Sequence, residues 1–208
     1  MSNKLVGNLS RGLLFILSAP GGTGKTTLAK MLCDEFKTVT QSISCTTRSP
    51  RTHEIPGKDY YFISSTEFEE KLQQNAFLEY VSIFDHSYGT LYETIIKEQL
   101  LGHHVLLVIN AQGKNQIRML GIPHVSIFIH PPSWVELRHR LEKRGTEGCE
   151  AIAQRLALAK YEISFSHLYD YQVVNDNLQT AYEILRSIII AEEHKYLKPL
   201  PKESPCPT

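Results

Sequence analysis

Residues 18–27, S-A-P-G-G-T-G-K-T-T, constrain the fold of this chain more than any other stretch. An apolar run, Leu13-Leu14-Phe15-Ile16-Leu17, comes before them. Leu28-Ala29-Lys30-Met31-Leu32 follows and reads as the first turns of a helix. A buried strand, a glycine-rich turn and a helix are the context that a phosphate-binding loop needs. Gly21, Gly22 and Gly24 let the backbone curl with its N–H groups toward an anion. The helix that starts near Lys25 adds its positive dipole end. Lys25 brings a mobile charge to β- and γ-phosphates, and the Thr26 hydroxyl is placed to ligate Mg²⁺. The pattern G-x-x-x-x-G-K-[ST] asks for glycine at position 19, where this chain has Ala19, the smallest departure. An incidental glycine-rich turn is the competing reading; the flanking strand and helix argue against it.

At 208 residues the chain is one domain, or one domain with insertions. Its 22 basic and 22 acidic residues balance, so no global field favours nucleic acid or an anionic membrane, and any anion site must be local. No apolar stretch is long enough to span a bilayer, and residues 1–11 lack the apolar core of a signal peptide. Cys33, Cys45, Cys149 and Cys206 are scattered without C-x-x-C spacing, and they read as reduced thiols of a cytoplasmic protein.

Strand and helix patterns alternate along the chain, which predicts an α/β fold with a parallel sheet and helices on both faces. Strands are expected at 12–17, 41–45, 59–63, 77–84, 104–109, 125–129 and 171–174. Helices are expected from 25 to about 36, 65–75 with Ser65 as N-cap, 92–101, 112–120, 133–144, 150–163 and 178–194. Residues 42–98 differ from the rest, with short strands, aromatics and loops, and resemble an inserted mixed α/β module. Residues 135–165 form a second insert of arginine-bearing helices. The core is then 11–41, 99–134 and 166–195. Residues 196–208 are rich in proline, which predicts a disordered tail. A core with two inserts suggests a kinase that closes over two substrates.

Several side-chain groups bear on chemistry. Arg48 and Arg51 stand three apart beside hydroxyl residues, and guanidinium groups grip phosphate in a fork geometry. With Tyr60 they could hold a phosphomonoester; a solvated surface loop is the other reading. Glu79 lies in the apolar run A-F-L-E-Y-V, where a carboxylate can accept paired hydrogen bonds from the guanine edge. An exposed edge glutamate fits the same pattern. Tyr88-Gly89-Thr90, expected to turn back toward the helix at 92–101, adds an aromatic, a close-approach glycine and a hydroxyl. Arg140, Arg144 and Arg155 either neutralise a transferring phosphoryl group or face solvent. His103 and His104 would point to opposite faces of a strand, so a shared metal is not expected.

Taken together, S-A-P-G-G-T-G-K-T-T, S-C-T-T-R-S-P-R, G-K-D-Y-Y-F, F-L-E-Y, S-Y-G-T, Q-G, P-P-S and R-L-E-K-R-G-T-E with R-L eleven residues on resemble the guanylate kinase family, collinearly over residues 13–194. The resemblance implies transfer of the ATP γ-phosphoryl group to GMP, with Mg²⁺ accompanying ATP. It implies ATP binding by Ala19, Pro20, Gly21, Gly22, Thr23, Gly24, Lys25, Thr26 and Thr27, with Thr26 on the metal. Arg48, Arg51, Tyr60 and Tyr88 would grip the GMP phosphate, and Ser44, Glu79 and Thr90 would read guanine. Lys25, Arg51, Arg144 and Arg155 would be catalytic, with Arg140 a helper in the lid. No nucleic acid, membrane or obligate protein partner is implied. A related phosphopeptide-binding module, or a kinase for another nucleoside monophosphate, is the alternative.

One departure from the family matters. Where the family shows D-x-D-x-Q-G, this chain has Val108-Ile109-Asn110-Ala111-Gln112-Gly113. Both carboxylates are missing. Asn110, expected in the GMP site, can still accept a hydrogen bond through its amide oxygen; Val108 cannot.

Overall fold

The computed structural model describes residues 4–52, 54–83, 85–143 and 149–195, with the side chain of Cys149 excepted. In chain order the first elements are β1 (Leu14–Ser18), α1 (Lys25–Glu35), β2 (Val39–Gln41), β3 (Cys45–Thr46), β4 (Tyr61–Phe62) and α2 (Ser65–Gln73). Then come β5 (Phe77–Ile83), β6 (His86–Leu91), α3 (Tyr92–Leu100), β7 (His104–Val108), α4 (Ala111–Met119) and β8 (Val125–His130). The last are α5 (Trp134–Lys143), α6 (Cys149–Ser164), a short 3₁₀ turn (Ser166–Leu168), β9 (Tyr171–Val174) and α7 (Leu178–Lys195).

All five residues of β1 are buried, because parallel strands flank it on both sides. The main sheet runs β2-β7-β1-β8-β9, all parallel. Side chains alternate across it. Phe15 and Leu17 pack into one core with Leu28, Leu32, Leu185 and Ile189 of α1 and α7. Leu14 and Ile16 pack into another with Ile95 of α3, Ile117 of α4 and Leu78 of β5. Covered faces explain why β1, β7 and β8 read as continuous apolar runs rather than alternating ones.

The second sheet, β4-β3-β6-β5, is mixed: β3 is parallel to β4 and antiparallel to β6, which pairs antiparallel with β5. Two expectations change here. The single strand expected at 41–45 is two strands in two sheets. The Ser42 N–H still donates to Leu106 in the main sheet, and the Ser44 carbonyl already accepts from Tyr61 in the second. Residues 88–90, expected to turn toward a helix, are strand, because Gly89 admits the Phe77 ring across the ladder; a Cβ there would stand 2.8 Å from it. The N-cap of α2 is Ser64, whose hydroxyl accepts the Glu67 N–H at 3.1 Å; Ser65 is the first helical residue. Residues 145–148, between the helices expected at 133–144 and 150–163, and the tail at 196–208 lie outside the described residues. Among the described residues no helix is long and apolar enough to cross a membrane.

A buried polar clamp ties residues 7, 8 and 104 to α7. Glu193 and His104 are both 0% exposed. The Leu13 N–H donates to His104 Nδ1 at 2.9 Å, so Nε2 carries the proton and donates to Glu193 at 2.7 Å. The Gly7 and Asn8 N–H groups and the Asn8 amide complete the Glu193 carboxylate at 2.6–2.7 Å. Burial alone would raise the Glu193 carboxyl, but the Asn8 and Gly7 amides and then His104 hold it below the usual range. His103 pairs instead with Glu98, so the two histidines share no ligand.

Glu193→Ala should cost about 3–5 kcal/mol of stability, since it leaves an N–H cluster buried without its carboxylate. Urea unfolding followed by circular dichroism reads this. Because the folded carboxyl titrates below its unfolded range, the contribution is present at neutral pH and is lost as pH falls through that range. A variant as stable as the parent would show that the clamp contributes nothing.

Candidate active site

The site begins where β1 stops. Gly22 and Gly24 adopt left-handed φ values of 91° and 90°. A Cβ at Gly24 would stand 2.5 Å from Asn175 Nδ2, which donates to the Thr23 carbonyl at 2.6 Å. Thr23 is fully buried and donates to the Pro20 carbonyl at 2.7 Å. Helix α1 therefore starts from glycine with no side-chain cap and no acid in its first turn. Its leading N–H groups are left without a side-chain acceptor, and the dipole end is uncompensated. Lys25 reaches back to the Ala19 carbonyl at 3.4 Å. Burial pulls its pKa down, and Glu162 of α6 opposes that. Thr26 and Thr27 are exposed.

Helices α5 and α6 lie over this loop. A Cβ at Gly22 would meet Leu141 and Leu137 of α5 at 3.2–3.4 Å. One at Gly21 would stand 3.3 Å from Arg155 Nη1 of α6. Arg140 is held by Glu136 at 2.7 Å and donates to the Asn175 carbonyl at 3.2 Å, so it braces the asparagine that orders the loop. Arg144 lies outside the described residues.

The second sheet carries the other half. The Arg48 guanidinium lies 5.5 Å from the Tyr60 ring centroid, and Tyr60 meets Tyr88 edge-on at 6.0 Å. Arg48 donates to Glu54 at 2.9 Å; the Arg51 N–H donates to the same carboxylate at 2.8 Å, and the Arg51 guanidinium lies 4.0 Å away. Glu54 thus occupies the anion position between the two arginines.

Glu79 is 3% exposed. Thr90 donates to it at 2.6 Å, and the Ser44 and Thr90 hydroxyls lie 3.4 Å apart. The second Glu79 oxygen faces Gly113, where a Cβ would stand 2.3 Å away. Asn110 sits at the same corner, its amide oxygen accepting the Gly113 N–H at 3.0 Å as the N-cap of α4. Burial pushes the Glu79 carboxyl up to about 7, against hydrogen bonds from Thr90.

Sequence reasoning missed three residues here. Glu54 follows Arg51 by the same three-residue step that separates Arg51 from Arg48. Glu162 lies seven residues after Arg155, two turns along one helix face. Asn175 follows the last strand with no local signal. Burial pushes the Glu162 carboxyl up to about 7, with Lys25 pulling the other way. A larger open groove of about 450 Å³ lies along α7 and β9 and includes none of these residues.

A glycine loop delivering an uncapped helix end and a lysine, together with a second sheet that presents paired arginines and a buried carboxylate, fits a P-loop kinase fold. The sequence model of the guanylate kinase family matches residues 11–192. The chain is 52% identical over 196 residues to guanylate kinase from Protochlamydia amoebophila strain UWE25, spanning 94% of this chain and 99% of that one. It is 46% identical over 183 residues to guanylate kinase from Chlamydia pneumoniae, spanning 88% and 89%. The crystal structure of guanylate kinase from Anaplasma phagocytophilum is similar at a TM-score of 0.73 and 31% identity, spanning 93% and 91%. The chain belongs to the guanylate kinase family.

Glu79 yields a pH-dependent prediction. A carboxyl whose folded pKa is raised holds its proton more tightly folded than unfolded, so stability falls as pH rises from the ordinary range to about 7. Glu79→Gln removes that loss. Without nucleotide, the Tm of the variant relative to the parent should climb between pH 5 and pH 8 and then level off. A difference that does not change with pH would show that Glu79 is not buried as a titrating acid.

Proposed function

We propose that this chain transfers the γ-phosphoryl group of ATP to GMP, giving ADP and GDP. The observation that carries the reading is the buried Glu79–Thr90 pair set in the same small sheet as the paired arginines. A carboxylate with a raised pKa gains most from a ligand that donates two hydrogens side by side. Guanine offers N1–H and its exocyclic amine; adenine offers no such pair.

In this reading residues 42–98 are the GMP-binding module, residues 135–165 the lid, and 11–41, 99–134 and 166–195 the core. Ser44, Glu79 and Thr90 hold the base, with Asn110 beside them. The GMP phosphate takes the place of Glu54 between Arg48 and Arg51, with Tyr60 and Tyr88 alongside. The α1 N–H groups and Lys25 hold the ATP phosphates along residues 19–27.

A GMP phosphate oxygen attacks the γ-phosphorus as the bond to the β-phosphate oxygen breaks, and ADP leaves. The attacking group is already an anion, so no general base is required. The barrier falls through in-line positioning and charge neutralisation. Arg51, Arg144 and Arg155 are assigned to the transferring group, and Arg140 supports the loop through Asn175. Leu137 and Leu141 packed at Gly22 keep water from the phosphates.

Among the described residues no group of three or more His, Cys, Asp or Glu could hold a metal ion. The exposed Thr26 hydroxyl at the start of α1 is an oxygen donor of the kind Mg²⁺ takes, and that ion keeps most of its waters and arrives on nucleotide phosphates. Thr26 would hold it, and the ion would supply neutralisation of the β- and γ-phosphate oxygens.

A coupled assay of ADP formation tests the reading, with ATP and either GMP, AMP or CMP. Turnover should require GMP, and Lys25→Ala should lower kcat by about 10²–10³-fold while GMP binding persists. Equal use of AMP would overturn the assignment of Glu79. Glu79→Ala should raise the KM for GMP by about 10–100-fold, the loss of a charged hydrogen-bond pair of about 1.5–3 kcal/mol.

A further inference from the structure

A cleft of about 170 Å³ opens between the end of β5, the start of α4 and the inner face of α6. Ser82, Asn110, Gln112, Tyr161 and Glu162 contribute its polar lining, and Glu162 is the one carboxylate among the described residues that line it. Glu162 is 8% exposed. Among the described residues its carboxylate accepts no hydrogen bond, and the charged group it senses is Lys25. Arg155, two turns earlier on the same helix, stands at Gly21. Helix α6 thus brings a cation to the glycine loop and an anion toward the neighbouring lysine.

The usual place for an acid in a P-loop enzyme is the end of the strand beside β1. There β7 ends in Val108, followed by Asn110, whose amide oxygen is occupied by the Gly113 N–H. Neither offers a charged acceptor. Glu162 shares its cleft with Asn110, so its carboxylate faces the position where that acid is missing and opens to water there. Lys25 attracts it, and bound ATP phosphates would draw Lys25 away. In the loaded state the carboxylate is free to accept hydrogen bonds from water, and the waters of a nucleotide-bound Mg²⁺ are donors of the right kind.

We propose that Glu162 is a positioning residue for the metal: its carboxylate accepts hydrogen bonds from the water shell of Mg²⁺ bound with the nucleotide, the part that no acid at 108 or 110 can play in this chain. The inference rests on the ATP site proposed above. Its consequence is that the metal's outer shell is completed by the lid helix rather than by the main sheet, so that metal binding and the placement of α6 are coupled.

Calorimetric titration with ADP, with Mg²⁺ and with EDTA, separates this from the alternatives. The quantity read is the ratio of the two dissociation constants within one protein. Mg²⁺ should tighten ADP binding to the parent. Glu162→Gln should shrink that tightening by about tenfold, the scale of outer-shell losses at metal sites. Metal-free ADP should bind the variant as well as or better than the parent, because Lys25 loses a competitor. Adding Asn110→Asp, which keeps the helix cap, should recover part of the metal effect. Equal shifts with and without Mg²⁺ would mean that Glu162 serves only Lys25, and no shift would mean that it serves neither; both overturn the proposal. So would a double variant that recovers nothing, since the effect would then lie in lid closure. Should Glu162→Gln fail to fold, Glu162→Asp gives the same ratio with the carboxylate drawn back by one methylene. Failure of the parent to bind ADP at all would instead overturn the ATP site itself.

Discussion

The open N-terminus of α1 is the constraint on which the rest of the site depends. A helix normally satisfies its first N–H groups with a capping side chain. Here the cap position is Gly24 in a left-handed conformation, held by Asn175 against the Thr23 carbonyl. That leaves a set of donors with no internal acceptor, at the end of a strand buried on both faces. The arrangement is unfavourable for folding and favourable for an anion. Stability has to come from elsewhere, and the two cores on either side of β1, together with the Glu193–His104 clamp behind them, supply it. The clamp and the loop differ in one respect. Every hydrogen-bonding position of the Glu193–His104 cluster is matched, whereas the start of α1 is left open.

The same division appears in how charge is handled. An isolated charge out of water costs several kcal/mol, so an empty site lined with arginines and a lysine needs counterions. Glu54 answers Arg48 and Arg51, and Glu162 answers Lys25. In the proposed reading both carboxylates lie toward cations assigned to phosphate. They differ in contact: Glu54 touches both arginines, Arg48 at 2.9 Å, whereas among the described residues Glu162 makes no direct ion pair with Lys25 and lines the cleft beside Asn110.

Local features were legible in the sequence, and features made by distant residues were not. The glycine loop is read from its own ten residues, because strand, turn and helix signals adjoin. The apolar runs of β1, β7 and β8 announce a sheet covered on both faces. The strand 171–174 is readable because its alternation is short and bounded. The run 41–45 misled because both halves are extended; only the partners, Leu106 on one side and Tyr61 on the other, show that the chain changes sheets. Ser64 and Ser65 are equivalent as caps until the Glu67 N–H selects one. Asn175 reaches Thr23 across 152 positions, and nothing near it in the chain marks it.

Gly21 and Gly22 join the loop to the helices above it. Neither is needed only for the turn. Without a Cβ at 22, Leu137 and Leu141 pack directly onto the loop, and without one at 21, Arg155 reaches the backbone. Helices α5 and α6 therefore rest on the main chain of the glycine loop rather than on its side chains. Apolar contact of this kind has no preferred direction, so it holds the helices on the loop without fixing their register. The polar contacts fix it: Arg140 through Asn175, and Glu162 toward Lys25. Packing over the loop and the placement of charge are thus set by the same two helices. A change at the loop's glycines would be felt first as misplacement of Arg155 and Glu162, before any loss of the loop's own conformation.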